Sequence, residues 1–165
     1  MTHYCLLFEA KSIQQYILRS GRLRHIVGAS ELIDSLTRDL LDDALGALGV
    51  SDGAEVQLSR RAGGAVYLFS TSAKARNGFN ALWSALVSQY APNLEFIVAN
   101  GQGDNDFAAY LDASQSLQAA RNRQPAWLPA GSPVSAYAPR TGHPAVSNDQ
   151  RLGMQDAATT RFGTE

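Results

Sequence analysis

Three groups of side chains in this 165-residue chain have the types and spacing for chemistry. The first would hold an anion. Lys11 and Ser12 stand where an apolar run gives way to helical spacing, and the free N–H groups and dipole of a helix start favour phosphate. Ser12 reads first as the N-cap of that helix, and Lys11 first as a solvated loop lysine. Gly63 and Gly64 read first as a turn, although a glycine hairpin also lets a ligand approach the backbone closely. The second group is basic: Arg19, Arg22, Arg24 and His25, with Arg60 and Arg61 just before the double glycine. Together they could grip a nucleotide, an RNA or an acidic partner through bidentate pairs. A solvated helix face with salt bridges to Glu31 and Asp34 explains them equally well. The third group is acidic: the Gly-Asp-Asn-Asp spacing of Asp104 and Asp106 resembles a metal-ligand pair, but a polar loop with a helix cap at Asp104 or Asn105 accounts for it better.

The remaining reactive types read as structural. Cys5 lies within a buried strand pattern and is a small core residue. His25 and His143 have no partner at zinc-ligand spacing. Ser30 lacks a nucleophile-elbow context and reads as a helix-packing residue. Phe79, Trp83 and Tyr90 fall at helical spacing and are expected to face the core.

The elements that must position these groups follow from periodicity. Tyr4 to Phe8 is a continuous apolar run ending at Glu9, as expected of a strand buried on both faces. Helical spacing then runs from Ile13 to Leu48, with breaks expected near Ser20-Gly21 and at Gly28. Glu55–Leu58 alternates as a half-buried strand, Ser59 to Gly64 reads as the connecting segment with the turn, and Ala65–Phe69 is a second apolar strand. A helix from Ala75 to Tyr90 stops before Pro92. A strand over Leu94–Ala99 is expected to end at Asn100-Gly101-Gln102-Gly103. The last helix, Asp106 to Arg123, carries Phe107, Tyr110, Leu111, Ser114, Leu117 and Ala120 on one stripe. Five of the six prolines fall after Arg123, so residues 1–123 read as the domain and 124–165 as an irregular extension, the expected start of a further region of a longer protein.

Composition bounds the class. The chain is 45% hydrophobic and 18% charged, with 14 Lys and Arg against 15 Asp and Glu, so it has a core and no bulk positive charge to drive non-specific nucleic-acid or membrane binding. One cysteine excludes an internal disulfide framework and fits a reducing cytoplasm. No apolar run reaches spanning length, and no signal-peptide pattern opens the chain. The order strand, helix, strand, strand, helix, strand is the split βαβ pattern of a ferredoxin-like α+β fold. It makes a four-stranded antiparallel sheet with both helices on one face, here followed by an extra C-terminal helix. In that topology Glu9 and Gly63-Gly64 lie at one end of the sheet, and Asp104 and Asp106 at the other.

Ser12-Ile13-Gln14-Gln15-Tyr16-Ile17, the string from Ser20 to Ile33 (Ser-Gly-Arg-Leu-Arg-His-Ile-Val-Gly-Ala-Ser-Glu-Leu-Ile), and Ala62-Gly63-Gly64 resemble the palm domain of the large subunit of type III CRISPR effector complexes. The resemblance covers roughly Tyr4 to Ala99. It implies a palm that, in active members, binds ATP with Mg²⁺ or Mn²⁺ and makes cyclic oligoadenylates in antiviral defence. Active members carry Gly-Gly-Asp-Asp in the hairpin, whereas Ala65 and Val66 follow the glycines here, and neither can ligate a cation. Glu9 stands where the first strand's metal-binding aspartate would be, and one carboxylate cannot organise two metals. The resemblance is therefore to a degenerate palm without catalysis, acting in nucleotide binding or complex assembly. Its expected partners are other subunits or a second palm of such a complex, a nucleotide or RNA, or a second copy, and no membrane. Two alternatives stand beside it. Glu9 could work with a partner palm's carboxylates in an active nucleotidyltransferase, or the chain could be an unrelated ferredoxin-like interaction module.

Overall fold

The computed structural model describes residues 1–19, 21–53 and 55–121. Ser20 and the extension 124–165 lie outside them, but the break expected near Ser20-Gly21 is present: one helix ends at Leu18, Gly21 takes φ 65°, and the next helix starts at Leu23. Among the described residues the elements follow in order: β1 (His3–Lys11), α1 (Ile13–Leu18), α2 (Leu23–Leu36), α3 (Asp39–Ala47), β2 (Val56–Ala62), β3 (Ala65–Ser70), α4 (Ala73–Tyr90), β4 (Glu95–Gly103) and α5 (Asp106–Arg121). The strands form one antiparallel sheet in the order β2-β3-β1-β4, an α+β architecture compatible with a ferredoxin-like fold. Among the described residues, no helix is long and apolar enough to cross a membrane.

β1 is central, and its apolar run is buried on both sides: Cys5, Leu6, Leu7 and Phe8 are at most 1% exposed. Alternation splits them between two cores. Leu6 and Phe8 pack with Ile33, Leu36, Leu41, Phe79, Trp83 and Val87 from α2, α3 and α4. There the Trp83 ring meets Phe8 edge-on and stacks on Phe79, each at 5.7 Å between centroids. Cys5 and Leu7 face the other way, onto Ala99 of β4 and Ala109, Ala113 and Leu117 of α5. Cys5 is thus the small core residue expected, and burial pushes its thiol up to about 12.

The structure corrects several expectations. Gly28 does not break its helix; it is buried within α2, where tertiary burial overrides its weak propensity. The unanticipated break comes after Leu36, where the chain turns through Thr37 and Arg38 into α3. β2 runs on through Ser59–Ala62 to the turn, absorbing one irregularity as a bulge between Leu58 and Arg60. Gly63 and Gly64 form the two-residue turn, with φ of 61° and 73° as a primed hairpin turn requires. Tyr90 is 55% exposed at the end of α4 and does not face the core, although Phe79 and Trp83 do.

β4 does not stop at Asn100; it continues to Gly103. A Cβ on Gly101 would lie 2.3 Å from both the Ala109 carbonyl oxygen and the Ala113 nitrogen of α5, and one on Gly103 would lie 2.6 Å from the Ala109 nitrogen. The glycines are where a helix backbone rests on a strand, not terminators. That seat also decides how α5 faces. Small residues turn inward, and Phe107 (69% exposed), Leu111 (45%) and Tyr110 (36%), expected on the buried stripe, point out.

Candidate functional site

The expected site lies where the C-terminal end of β1 meets the β2–β3 hairpin, and the backbone brings these together. Glu9 pairs with Ala65 in register, and the Ala10 N–H donates to the Gly64 carbonyl at 2.8 Å. Gly64 is buried, and a Cβ there would lie 2.5 Å from Ile13 Cδ1 and 3.1 Å from Ala10 Cβ. Its lack of a side chain admits the first turn of α1, so that close approach is to the chain's own helix. Gly63 has open space around it. Ser12 stands at the N-cap position in the left-handed region (φ 53°), and its side chain makes no capping bond. This corrects the capping expectation: in that conformation its carbonyl, not its hydroxyl, engages the helix, accepting from Tyr16 N at 2.9 Å. Lys11 is the last residue of β1, not a loop residue, and sits in register with Glu95.

Glu9 follows Cys5 and Leu7 on the α5 face of β1. The Tyr67 hydroxyl donates to its Oε1 at 2.5 Å, and the Arg121 guanidinium, from the last turn of α5, ion-pairs with its Oε2. Arg60 sits over the Tyr67 ring at 5.3 Å, and the Tyr110 ring lies 6.4 Å from that of Tyr67. Burial alone would raise the Glu9 pKa. The hydrogen bonds from Arg121 and Tyr67, with the charge of Arg121, outweigh burial and hold the carboxyl below its ordinary value. The Tyr67 hydroxyl is pushed up, by burial and by the Glu9 carboxylate it faces. Both Glu9 oxygens are therefore engaged as acceptors within the chain, and a cation arriving there would have to displace Arg121.

Within the basic group, Arg60 and Arg61 do not share a face. Arg60 opposes Tyr67 and Arg61 opposes Val66, so adjacent residues point to opposite faces of the sheet. Arg61 donates to the carbonyls of Thr37 and Arg38 at 3.3 and 3.4 Å and pairs with Asp42 at 2.9 Å. It thereby satisfies the Thr37 carbonyl at the α2–α3 corner and gives the Arg38 carbonyl, which also accepts from Asp42 N at 3.1 Å, a second donor. Arg19 follows α1, Arg22 takes the N-cap position of α2, and Arg24 lies exposed in its first turn. Arg38 bridges Glu31 at 3.8 Å. At the far end of the sheet, Asn105 Oδ1 accepts from Ala108 N at 2.9 Å as the cap of α5, and Asp106 meets His3 Nδ1 at 2.7 Å. Asp106 is thus part of the helix start, as a capped loop implies. Among the described residues, no group of three or more His, Cys, Asp or Glu is placed to hold a metal ion.

Sequence reasoning missed Tyr67, Tyr110 and Arg121. Tyr67 was within reach: with the hairpin turn at Gly63-Gly64, counting register places it diagonal to Glu9 on the same face. Arg121 lies 112 residues from Glu9 and carries no local signal. Comparison with known protein-family models finds no match, and comparison with curated proteins finds none.

Proposed function

We propose that the chain is a degenerate, ferredoxin-like palm domain of a type III CRISPR-related antiviral defence protein, acting in the cytoplasm as an assembly module without nucleotidyl transfer. The observation that carries this reading is the commitment of Glu9. The carboxylate at the palm's metal position is held by Tyr67 and Arg121 and serves to fasten α5 to the sheet. The strand order β2-β3-β1-β4, with α2 and α4 over one face, supports the ferredoxin-like assignment. Ala65 and Val66 after the double glycine support the loss of chemistry. The arginines support assembly over a shared nucleotide pocket, because Arg60 and Arg61 diverge and Arg61 is spent on the α2–α3 corner.

The test incubates the full chain with ATP and Mg²⁺ or Mn²⁺, alone and reconstituted with the other subunits of a type III complex. The reading predicts incorporation into the complex and no pyrophosphate or cyclic oligoadenylate from this chain. Product that disappears on Glu9→Ala would overturn it in favour of an active palm completed by a partner's carboxylates. A chain that stays out of the complex would overturn the assembly role.

A further inference from the structure

The two edges of the sheet are built differently. The β2 edge is interrupted by its bulge and carries Arg60 and Arg61, and the Leu58 N–H donates to Asp52 Oδ1 at 2.8 Å. These are the devices by which proteins blunt an edge against pairing. β4 is nine residues long with no bulge, no proline, no Lys or Arg, and one charge, Glu95, at its start. An open groove of about 430 Å³ runs beside it, lined by Leu94 to Val98, Lys11 and Ala120.

The ladder fixes which β4 groups face outward. The Ala10 N–H points to the hairpin, so the even-numbered residues of β1 bond towards β3 and the odd-numbered ones towards β4. Their partners Glu95, Ile97, Ala99, Gly101 and Gly103 bond inward. The residues between them turn outward, and the ends of that outward row are already closed. The Leu94 N–H donates to Ala91 O at 3.0 Å, and the Gln102 N–H to Asp112 Oδ2 at 3.0 Å. Phe96, Val98 and Asn100 remain, with no partner for their outward groups among the described residues.

We propose that this edge pairs with β4 of a second copy, antiparallel about a two-fold axis at Val98, to make a continuous eight-stranded sheet. The open set is symmetric about its middle member, so one axis satisfies all of it: Val98 meets its own counterpart, and Phe96 exchanges bonds with Asn100 of the other copy. The same register sets Ile97 beside Ala99 and Glu95 beside Gly101, so no like charges oppose and apolar positions share faces. The closed ends fall outside the paired stretch. This surface goes beyond the reading of Glu9 and does not depend on it.

Sedimentation of the full chain over a concentration series tests the pairing, with hydrogen exchange read on the same samples. The expected result is a reversible species of twice the 17.7 kDa chain mass. The Phe96, Val98 and Asn100 amides should be protected in that species and exchange freely on dilution. Val98→Pro and Asn100→Pro each remove an outward N–H, which an edge strand tolerates, so both variants are expected to keep the fold by circular dichroism and to sediment as monomers. A wild-type chain that stays monomeric at every concentration would overturn the proposal, as would folded proline variants that remain dimers. Protection of those three amides that does not vary with concentration would also overturn it, since another part of the chain would then cover the edge.

Discussion

The two faces of the sheet are held by different physics. Towards α2, α3 and α4 the sheet offers Leu6, Phe8, Val66 and Leu68, and the helices answer with Phe79 and Trp83, so stability comes from burying large apolar side chains. Towards α5 the contact is closer and thinner. Gly101 and Gly103 admit the helix backbone, and the buried residues of α5 are Ala109, Ala113 and Leu117. Little apolar area is available there, and polar ties secure both ends: Asp106 to His3 at the start and Arg121 to Glu9 at the finish. The lengths agree, since 16 helical residues rise about 24 Å and the strand from His3 to Glu9 spans about 20 Å. The Glu9 carboxylate at the C-terminal end of β1 is the fastening of a helix.

Substitutions on the two faces should separate these mechanisms. Trp83→Ala empties the centre of the large-side-chain core and should cost about 4 kcal/mol in denaturant unfolding. A loss under about 1 kcal/mol would mean that this face is not the main source of stability. Gly101→Ala tests the close seat. Its Cβ meets backbone atoms of α5, which cannot rotate away, so about 3 kcal/mol should be lost, with α5 displaced and the opposite core intact by near-ultraviolet dichroism. A neutral result would show that α5 does not rest where described.

Glu9→Gln removes the charge while keeping an acceptor for Tyr67. With Arg121 half exposed, the screened cost should be about 1 kcal/mol at neutral pH. Because the folded-state pKa of Glu9 lies below its ordinary value, wild type binds its proton less readily folded than unfolded. Its advantage is therefore full above the ordinary carboxylate pKa and fades as pH falls through the folded value. The wild-type and variant stability curves should converge on acidification, and parallel curves would remove the ion pair from the account. Arg61→Ala, on the other face, should cost only about 0.5 kcal/mol, since its bridge to Asp42 is exposed on both sides.

How far each feature could be read from the sequence depended on where its determinants lie. β1 was legible because burial on both faces removes alternation, and the hairpin because only glycine takes two successive positive φ values cheaply. The face of α5 was not. Hydrophobicity along the helix favours Phe107, Tyr110 and Leu111, but the choice is made by Gly101 and Gly103 on another element, and helix periodicity holds no record of them. The same pair disguised the end of β4, since a glycine that admits a helix looks like one that ends a strand. Glu9 and the double glycine could be placed together from topology. The environment of Glu9 could not, because its partners come from β3 and the far end of α5. For Arg60 and Arg61 the reason is local: adjacent strand residues face opposite sides, so the two do not share a surface.

The central claim, that Glu9 fastens α5, is tested most directly by amide hydrogen exchange along α5 in wild type and Glu9→Gln at neutral pH. The account predicts faster exchange in the turns from Leu117 to Arg121 of the variant, with β1 and β3 unchanged. Identical exchange through α5 in the two proteins would contradict it.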